Sequence, residues 1–333
     1  MGLSLMNAID ASSSSGRWQA LGLSRAGLSL ARDYAIVITF AALFVTLSFT
    51  SAHFFTKINL LNVLDQSCAF GIIAAGETVV FISGGFDLSV GAVFGLAGVV
   101  AAMLEPHLGP GAALAVGLLT GLGAGVANGI LVTVGRINSF MATIGSGFVL
   151  GGFALVLTKG YLITVTNASY AILGRNRLFS VSYGTWTWLA VTALLTVLLK
   201  ATMFGRYVFA SGGNEMAARL SGLRVNLIRT AAFGISGMTA ALGGIILSSR
   251  VQTGQADSGS GIELTIIAAV VIGGTSIFGG EGAIWRTVLG VLLLTLIGNG
   301  FNLLNVNPIY QQIIQGLIIL FAVGLDAWSR KTS

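Results

Sequence analysis

A chain of 333 residues that is 55% hydrophobic and 8% charged is not an ordinary soluble domain, where charged residues make up about a quarter. Its mean hydropathy of +0.91 and repeated apolar runs of about 20 residues indicate an all-α polytopic membrane protein. The runs are continuous rather than alternating, which argues against a β-barrel, and the net charge of +6 fits a positive-inside bias better than nucleic-acid binding.

Residues 1–33 are Ser-rich, carry Arg17, Arg25 and Arg32, and read as a cytoplasmic tail with an amphipathic piece near Leu21 to Leu30. A transmembrane domain over 34–328 and a short tail over 329–333 follow. Ten spans are expected. The first five are Tyr34 to Ser51, Leu60 to Ile82, Asp87 to Leu104, Gly111 to Val134 and Ser139 to Thr158. The last five are Thr185 to Phe204, Thr230 to Ser249, Glu263 to Ile277, Ala283 to Phe301 and Pro308 to Leu325. With the N-terminus inside, twelve basic residues fall in inner segments and five in outer ones, so both termini are placed in the cytoplasm.

Within this order several strings stand out. Asp65, Gln66 and Glu77 lie in the second span. Intramembrane acids are costly and are candidates for function by default, Glu77 more than Asp65 because it is deeper. Gly84-Gly85-Phe86-Asp87-Leu88-Ser89-Val90-Gly91 turns the chain, and Asp87 can cap the third span. The same string also suits a broken helix beside a transport path. Gly117, Gly121, Gly125 and Gly129 recur every fourth residue, a packing stripe beside which Asn128 faces protein. Asn299, Asn302, Asn305 and Asn307, with Gln311, Gln312 and Gln315, bring amides to the ends of the last two spans. Amides hold donors and acceptors suited to sugar hydroxyls. Glu77, Asp87, Asn299 and Asn302 are therefore the substrate-path candidates, each also readable as an ordinary structural residue.

An internal echo pairs Ile72-Ile73-Ala74-Ala75 with Ile266-Ile267-Ala268-Ala269. Each is followed by a double glycine, Gly84-Gly85 and Gly279-Gly280, and then by an acid, Asp87 and Glu281. Both copies run outside to inside, as in a parallel duplication, although a biased composition produces such echoes by chance. The string Thr253 to Gly261 reads as a Gly/Ser-rich connecting loop.

Residues Gly205 to Arg229 form a polar, basic island between apolar runs, larger than a plain connection requires. Asn214 can cap a helix over Glu215 to Ser221 that Gly222 ends. Glu215 and Arg219 are an i,i+4 pair in the favourable order. Such a helix would present Ala217, Ala218 and Leu220 for contact; the plainer reading is a solvated linker.

Absences limit the chemistry. There is no G-x-x-x-x-G-K-[ST] string, so a P-loop route to ATP hydrolysis is excluded and no enzyme activity is expected. Cys68 is the single cysteine, so no disulfide within the chain is possible, and His53 and His107 make no metal cluster.

Gly84 to Ala102, Ile137 to Gly160, Gly205 to Leu223 and Ile266 to Gly282 together resemble the membrane permeases of bacterial ABC sugar importers. These are the ribose, xylose, galactose and autoinducer-2 type. The likeness covers about Leu60 to Arg330. It implies a permease fold like that of the vitamin B12 importers and a bacterial inner-membrane location. The implied partners are a second permease subunit, a cytoplasmic ATPase that binds ATP and Mg, and a periplasmic sugar-binding protein. No cofactor is implied for this chain and no nucleic acid, and lipid surrounds it. By the same resemblance, Asn214, Glu215, Ala217, Ala218, Arg219, Leu220, Ser221 and Gly222 match the ATPase-coupling helix. Phe86 and Met216 depart from the usual residues. An autonomous proton-coupled secondary transporter is the rival reading, a partner-free channel a further one, and the solute itself is not specified.

Overall fold

A computed structural model describes residues 25–307 and, beyond them, 310, 313, 314, 316, 317 and 320. Residues 1–24 of the expected tail over 1–33, the expected tenth span for the most part, Gln311, Gln312 and Gln315, and the expected tail over 329–333 lie outside the described residues.

The first helices are α1 (Arg25–Thr50), α2 (Lys57–Ile82), α3 (Val90–Thr133) and α4 (Ser139–Thr158). α1 starts nine residues ahead of the expected first span. A connecting stretch then holds β1 (Ile163–Thr164), a 3-10 turn (Ala168–Ala171), α5 (Ile172–Arg175), β2 (Arg177–Leu178) and β3 (Val181–Ser182). There follow α6 (Tyr183–Ala201), α7 (Met203–Gly213), α8 (Glu215–Leu220) and α9 (Val225–Val251). Last come β4 (Thr253–Gly254), α10 (Ile262–Ile272) and α11 (Ile284–Leu303). β1 pairs antiparallel with β4 and β2 with β3. Among the described residues, six helices are long and apolar enough to cross a membrane: α2, α3, α4, α6, α9 and α11.

α3 is 44 residues long, about 66 Å if straight, twice the thickness of a bilayer core. It is not straight. Gly109 takes φ 74°, ψ 165°, between Pro106 and Pro110, and the helix folds back on itself there. A Cβ placed on Gly117 would lie 3.1 Å from the Ala97 carbonyl oxygen, so the two arms run side by side. The third and fourth expected spans are thus a hairpin broken where sequence separates them.

Both arms clasp α9. The glycine stripe of the second arm faces it: a Cβ on Gly121 would lie 2.3 Å from Ala241 Cβ, and one on Gly125 2.2 Å from Phe233 O. From α9, a Cβ on Gly244 would lie 2.0 Å from Phe94 O of the first arm. Backbones this close permit no side chain, which is the packing expected of small-residue interfaces in lipid. Asn128 is buried and donates to Ser89 Oγ at 2.8 Å, so it faces protein, as expected. α4 is the opposite case, with Phe148, Phe153 and Val156 on its exposed side.

The eighth expected span is a correction. Its helix is α10, only 11 residues, about 16 Å and too short to cross. The missing length is taken up by residues 253–261, which do not loop outside the bundle but descend along α3. Cβ atoms on Gly254, Gly95 and Gly91 would lie 2.9 Å from Val99 Cα, 2.4 Å from Ala256 O and 2.4 Å from Gly259 O in turn.

Candidate functional site

The island folds as its side chains dictate. Asn214 is the N-cap of α8, its Oδ1 accepting from Ala217 N at 2.9 Å. Gly222 ends the turn at φ 83°, a conformation costly for any residue with a Cβ. Arg219 donates through Nε and Nη2 to Glu215 Oε1 at 3.0 and 2.8 Å, and through Nη2 to Asn226 Oδ1 at 2.7 Å. Burial by itself would raise the Glu215 pKa, but the hydrogen bonds and charges of Arg219 and Arg229 outweigh it and hold the carboxyl below its usual range. Ala218 corrects the expected contact face. It is buried, so it anchors α8 to its own chain; Ala217 and Leu220 are exposed as expected, joined by Met216 and, at the start of α9, Leu227.

Arg229 ties this helix to the bundle. Its Nη1 donates to Glu215 Oε2 at 2.6 Å, its Nε to Ser83 O at 2.9 Å and its Nη2 to Ser211 O at 3.2 Å. One planar fork therefore joins α8, α7 and the end of α2, geometry that suits Arg and not Lys. Beside it three double glycines converge: Gly84-Gly85, Gly212-Gly213 and Gly279-Gly280. Gly280 N donates to Ile82 O at 2.9 Å. A Cβ on Gly212 would lie 1.8 Å from Ile82 O, and one on Gly280 2.6 Å from Gly213 Cα. The two halves of the sequence echo meet here, since α2 and α10 both run toward this junction.

Seven residues further along α9, roughly 10 Å from Arg229, Ser236 faces two carboxyl groups. Its hydroxyl lies 3.1 Å from Glu77 Oε2 and 3.0 Å from Asp87 Oδ2. Glu77 Oε1 accepts from Asp87 N at 3.0 Å. Asp87 Oδ1 accepts from Ser89 N at 3.0 Å and from Ser89 Oγ at 2.5 Å. Asp87 thus holds the turn into α3, much as a cap would, and neither carboxyl exposes any surface. Phe86 packs edge-on against Phe81, ring centroids 4.7 Å apart.

At the opposite end of the bundle, Asp65 is paired with Arg177 at 2.6 Å and accepts from Thr185 Oγ1 at 3.2 Å. Asn299 is buried in a reciprocal amide pair: its Nδ2 donates to Asn59 Oδ1 at 2.8 Å and Asn59 Nδ2 returns to Asn299 Oδ1 at 3.1 Å. Asn302, Asn305, Val306 and Asn307 line an open depression of about 420 Å³. The four substrate-path candidates therefore fall in separate places. Glu77 and Asp87 share one node, and Asn299 and Asn302 lie at the other end.

A model of the family described as branched-chain amino acid transport system / permease component matches residues 59–323. The chain belongs to this permease family. The permease is 40% identical over 287 residues to the ribose import permease protein RbsC of Bacillus subtilis, covering 85% of this chain and 89% of the relative. It is 38% identical over 295 residues to RbsC of Escherichia coli K12 (87% and 92%). It is 35% identical over 302 residues to the L-arabinose transport system permease protein AraH of the same organism (90% and 92%).

Sequence reasoning missed Ser236, Arg229 as a three-way tie, and the inserted segment 253–261 of the permease. For Ser236 and Arg229 the signal lies only in three dimensions. For the segment it was present as Gly91 and Gly95, four residues apart like the stripe on the other arm of α3.

Proposed function

We propose that this chain is the membrane permease subunit of an ATP-driven ABC importer for a monosaccharide or a similar small polyol-like solute. It sits in the bacterial inner membrane with both termini and α8 in the cytoplasm, and its full complement is ten spans in a vitamin B12 importer-like arrangement. A separate ATPase binds ATP and Mg, a second permease subunit completes the pore, and a periplasmic binding protein delivers the solute. Membership of the permease family and the sugar-importing relatives support the solute class.

The observation that carries the coupling step is the Arg229 fork. α8 presents Met216 and Leu220 outward, and the start of α9 presents Leu227 beside them, where a cleft of the ATPase can take them. Behind them Glu215 is fixed by two arginines, and Arg229 hands any displacement to Ser83 and Ser211 at the glycine junction. Closure of the ATPase dimer on ATP then moves α8 as a rigid lever. Packed helices transmit it because they have discrete arrangements rather than a continuum. Glu77, Ser236 and Asp87 lie on the route from this junction into α3.

The test is uptake and ATP hydrolysis by the permease reconstituted with its ATPase and binding protein. Leu220→Glu or Gly222→Pro is expected to abolish uptake while leaving permease in the membrane at normal levels. Proline cannot adopt the φ of 83° found at Gly222. Normal uptake by both variants overturns the role of α8. Uphill uptake by the purified chain alone under a proton gradient would favour the secondary-transporter reading instead. Of the three acids first considered for that reading, Glu77 and Asp87 are enclosed and Asp65 is ion-paired.

A further inference from the structure

After the short strand β4, residues 255–261 are irregular backbone at membrane depth. The depth follows from the helix geometry. Glu77 sits five residues before the end of α2, about 7.5 Å above the glycine junction, and it binds the Asp87 backbone. α3 therefore starts well inside the bundle, and Gly91 is its second residue. From the other side, α10 rises 11 residues from near the junction to Ile262. Both measures put Gly259 and Gly91, whose backbones touch, near the middle of the bilayer.

One side of this segment is sealed against the first arm of α3. Its other side exposes Gln255, Asp257 and Ser260. Gln255 Nε2 donates to Asp257 Oδ1 at 2.8 Å, which is a neutral partner and not a counter-charge. Among the described residues no cation pairs with Asp257, and non-helical backbone with such a carboxylate is not tolerated against acyl chains; the segment lines water or lies within protein. Its backbone is arranged for a wall: Ser258 N, Ser260 N and Ile262 N turn back onto Gln255 O, Asp257 O and Gly259 O at 3.3, 3.0 and 3.3 Å. The side chains are left to face outward.

We propose that the segment from Gln255 to Ser260 is the solute-contacting wall of the translocation path. It takes an uncharged polyhydroxylated solute by hydrogen bonds from Gln255, Asp257 and Ser260. This rests on the importer reading above and deepens it. An amide, a carboxylate and a hydroxyl in one short stretch offer both donors and acceptors, as vicinal hydroxyls require. Asp257, with Glu263 just beyond it, sets a negative field against anionic solutes such as a sugar phosphate. Amide and carboxyl groups sealed inside the bundle, as at Glu77 and Asp87, cannot supply these contacts.

The single cysteine makes the test direct. Cys68 is buried, and Cys68→Ser supplies a background for Gln255→Cys, Ser260→Cys and Val149→Cys. Val149 is exposed on the apolar side of α4. The full importer, with its ATPase and binding protein, is assayed for reaction with a charged, membrane-impermeant methanethiosulfonate and for uptake of radiolabelled D-ribose. Because thiolate forms in water, positions 255 and 260 are expected to react at least ten-fold faster than 149. Modification at 260 is expected to block uptake, with D-ribose slowing the reaction and ribose 5-phosphate leaving it unchanged. Membrane levels by immunoblot separate loss of path from loss of fold, and Ser260→Cys is near-isosteric. Reaction at 255 and 260 no faster than at 149, in an importer that takes up D-ribose, overturns the path assignment alone. Fast reaction there, with no ATP-dependent sugar uptake by the unmodified importer, counts against the importer reading and not against a water-lined wall.

Discussion

The island 205–229 and the segment 253–261 are both short polar strings between apolar runs, yet they end in opposite places. The island is held at the surface by its own local chemistry: an Asn cap, an i,i+4 pair and a left-handed glycine. The segment has a left-handed glycine of its own, Gly261 at φ 82°, but its position is set by what another element lacks. Gly91 and Gly95 open a groove on α3 that only bare backbone can fill. Polarity alone therefore does not locate a string outside a membrane. What decides is whether a neighbouring helix offers a glycine face at the same depth.

The largest effects are expected where backbone fills such a face. Gly212→Val and Gly95→Val place side chains where a Cβ already lies 1.8 Å and 2.4 Å from carbonyl oxygens. Backbone cannot give way as a side-chain tip can, so a cost at or beyond the usual 1–3 kcal/mol of overpacking is expected. Immunoblots of membranes should show strong loss of both proteins. Gly123→Val, on the same arm as the stripe but with nothing within 4 Å, should be indistinguishable from wild type. Equal levels for all three would remove the distinction between groove and open face. Less drastic is Arg229→Lys, which keeps the charge but cannot bond Glu215, Ser83 and Ser211 at once. ATP hydrolysis is expected to persist while coupled uptake falls about ten-fold, the equivalent of about 1.4 kcal/mol. If uptake and hydrolysis fall together, the fork is stabilising the fold rather than transmitting motion.

These variants also show which parts of the molecule sequence can disclose. Helix-length apolar runs, the cap at Asn214 and the stop at Gly222 are local, so they are legible from periodicity and residue type. The glycine stripe on α3 was legible as packing, although not its partner. Ala218 was misassigned because a six-residue helix gives no period from which to tell its inner face from its outer one. In the Glu77–Ser236–Asp87 node the acids are ten residues apart, but Ser236 lies 149 residues beyond Asp87, and no local signal joins it to them. Segment 253–261 was read as a loop because Gly and Ser usually mark one; its insertion depends on α3, more than 150 residues away.

The smallest effects belong to the island's own electrostatics, and they test whether local chemistry suffices there. Glu215 has its pKa lowered in the fold, so its contribution is fully present above the ordinary carboxylate value of 4.5 and is lost only as pH falls through the lower folded value. Limited proteolysis of the island in detergent should therefore be flat from about pH 8 to about pH 5 and should accelerate only below that. The carboxylate is 41% exposed, so solvent screening keeps the effect modest, and Glu215→Gln should weaken protection by no more than a few fold. Asn214→Ala removes a cap worth about 1 kcal/mol and should loosen the same stretch at every pH. Adding the two distinguishes the sources of order. If Glu215→Gln leaves protection unchanged and Asn214→Ala does not, the cap holds α8 and the arginines serve transmission. If neither changes it, α8 is held instead by the buried Ala218 contact, and the island then resembles the inserted segment in being placed by its neighbours.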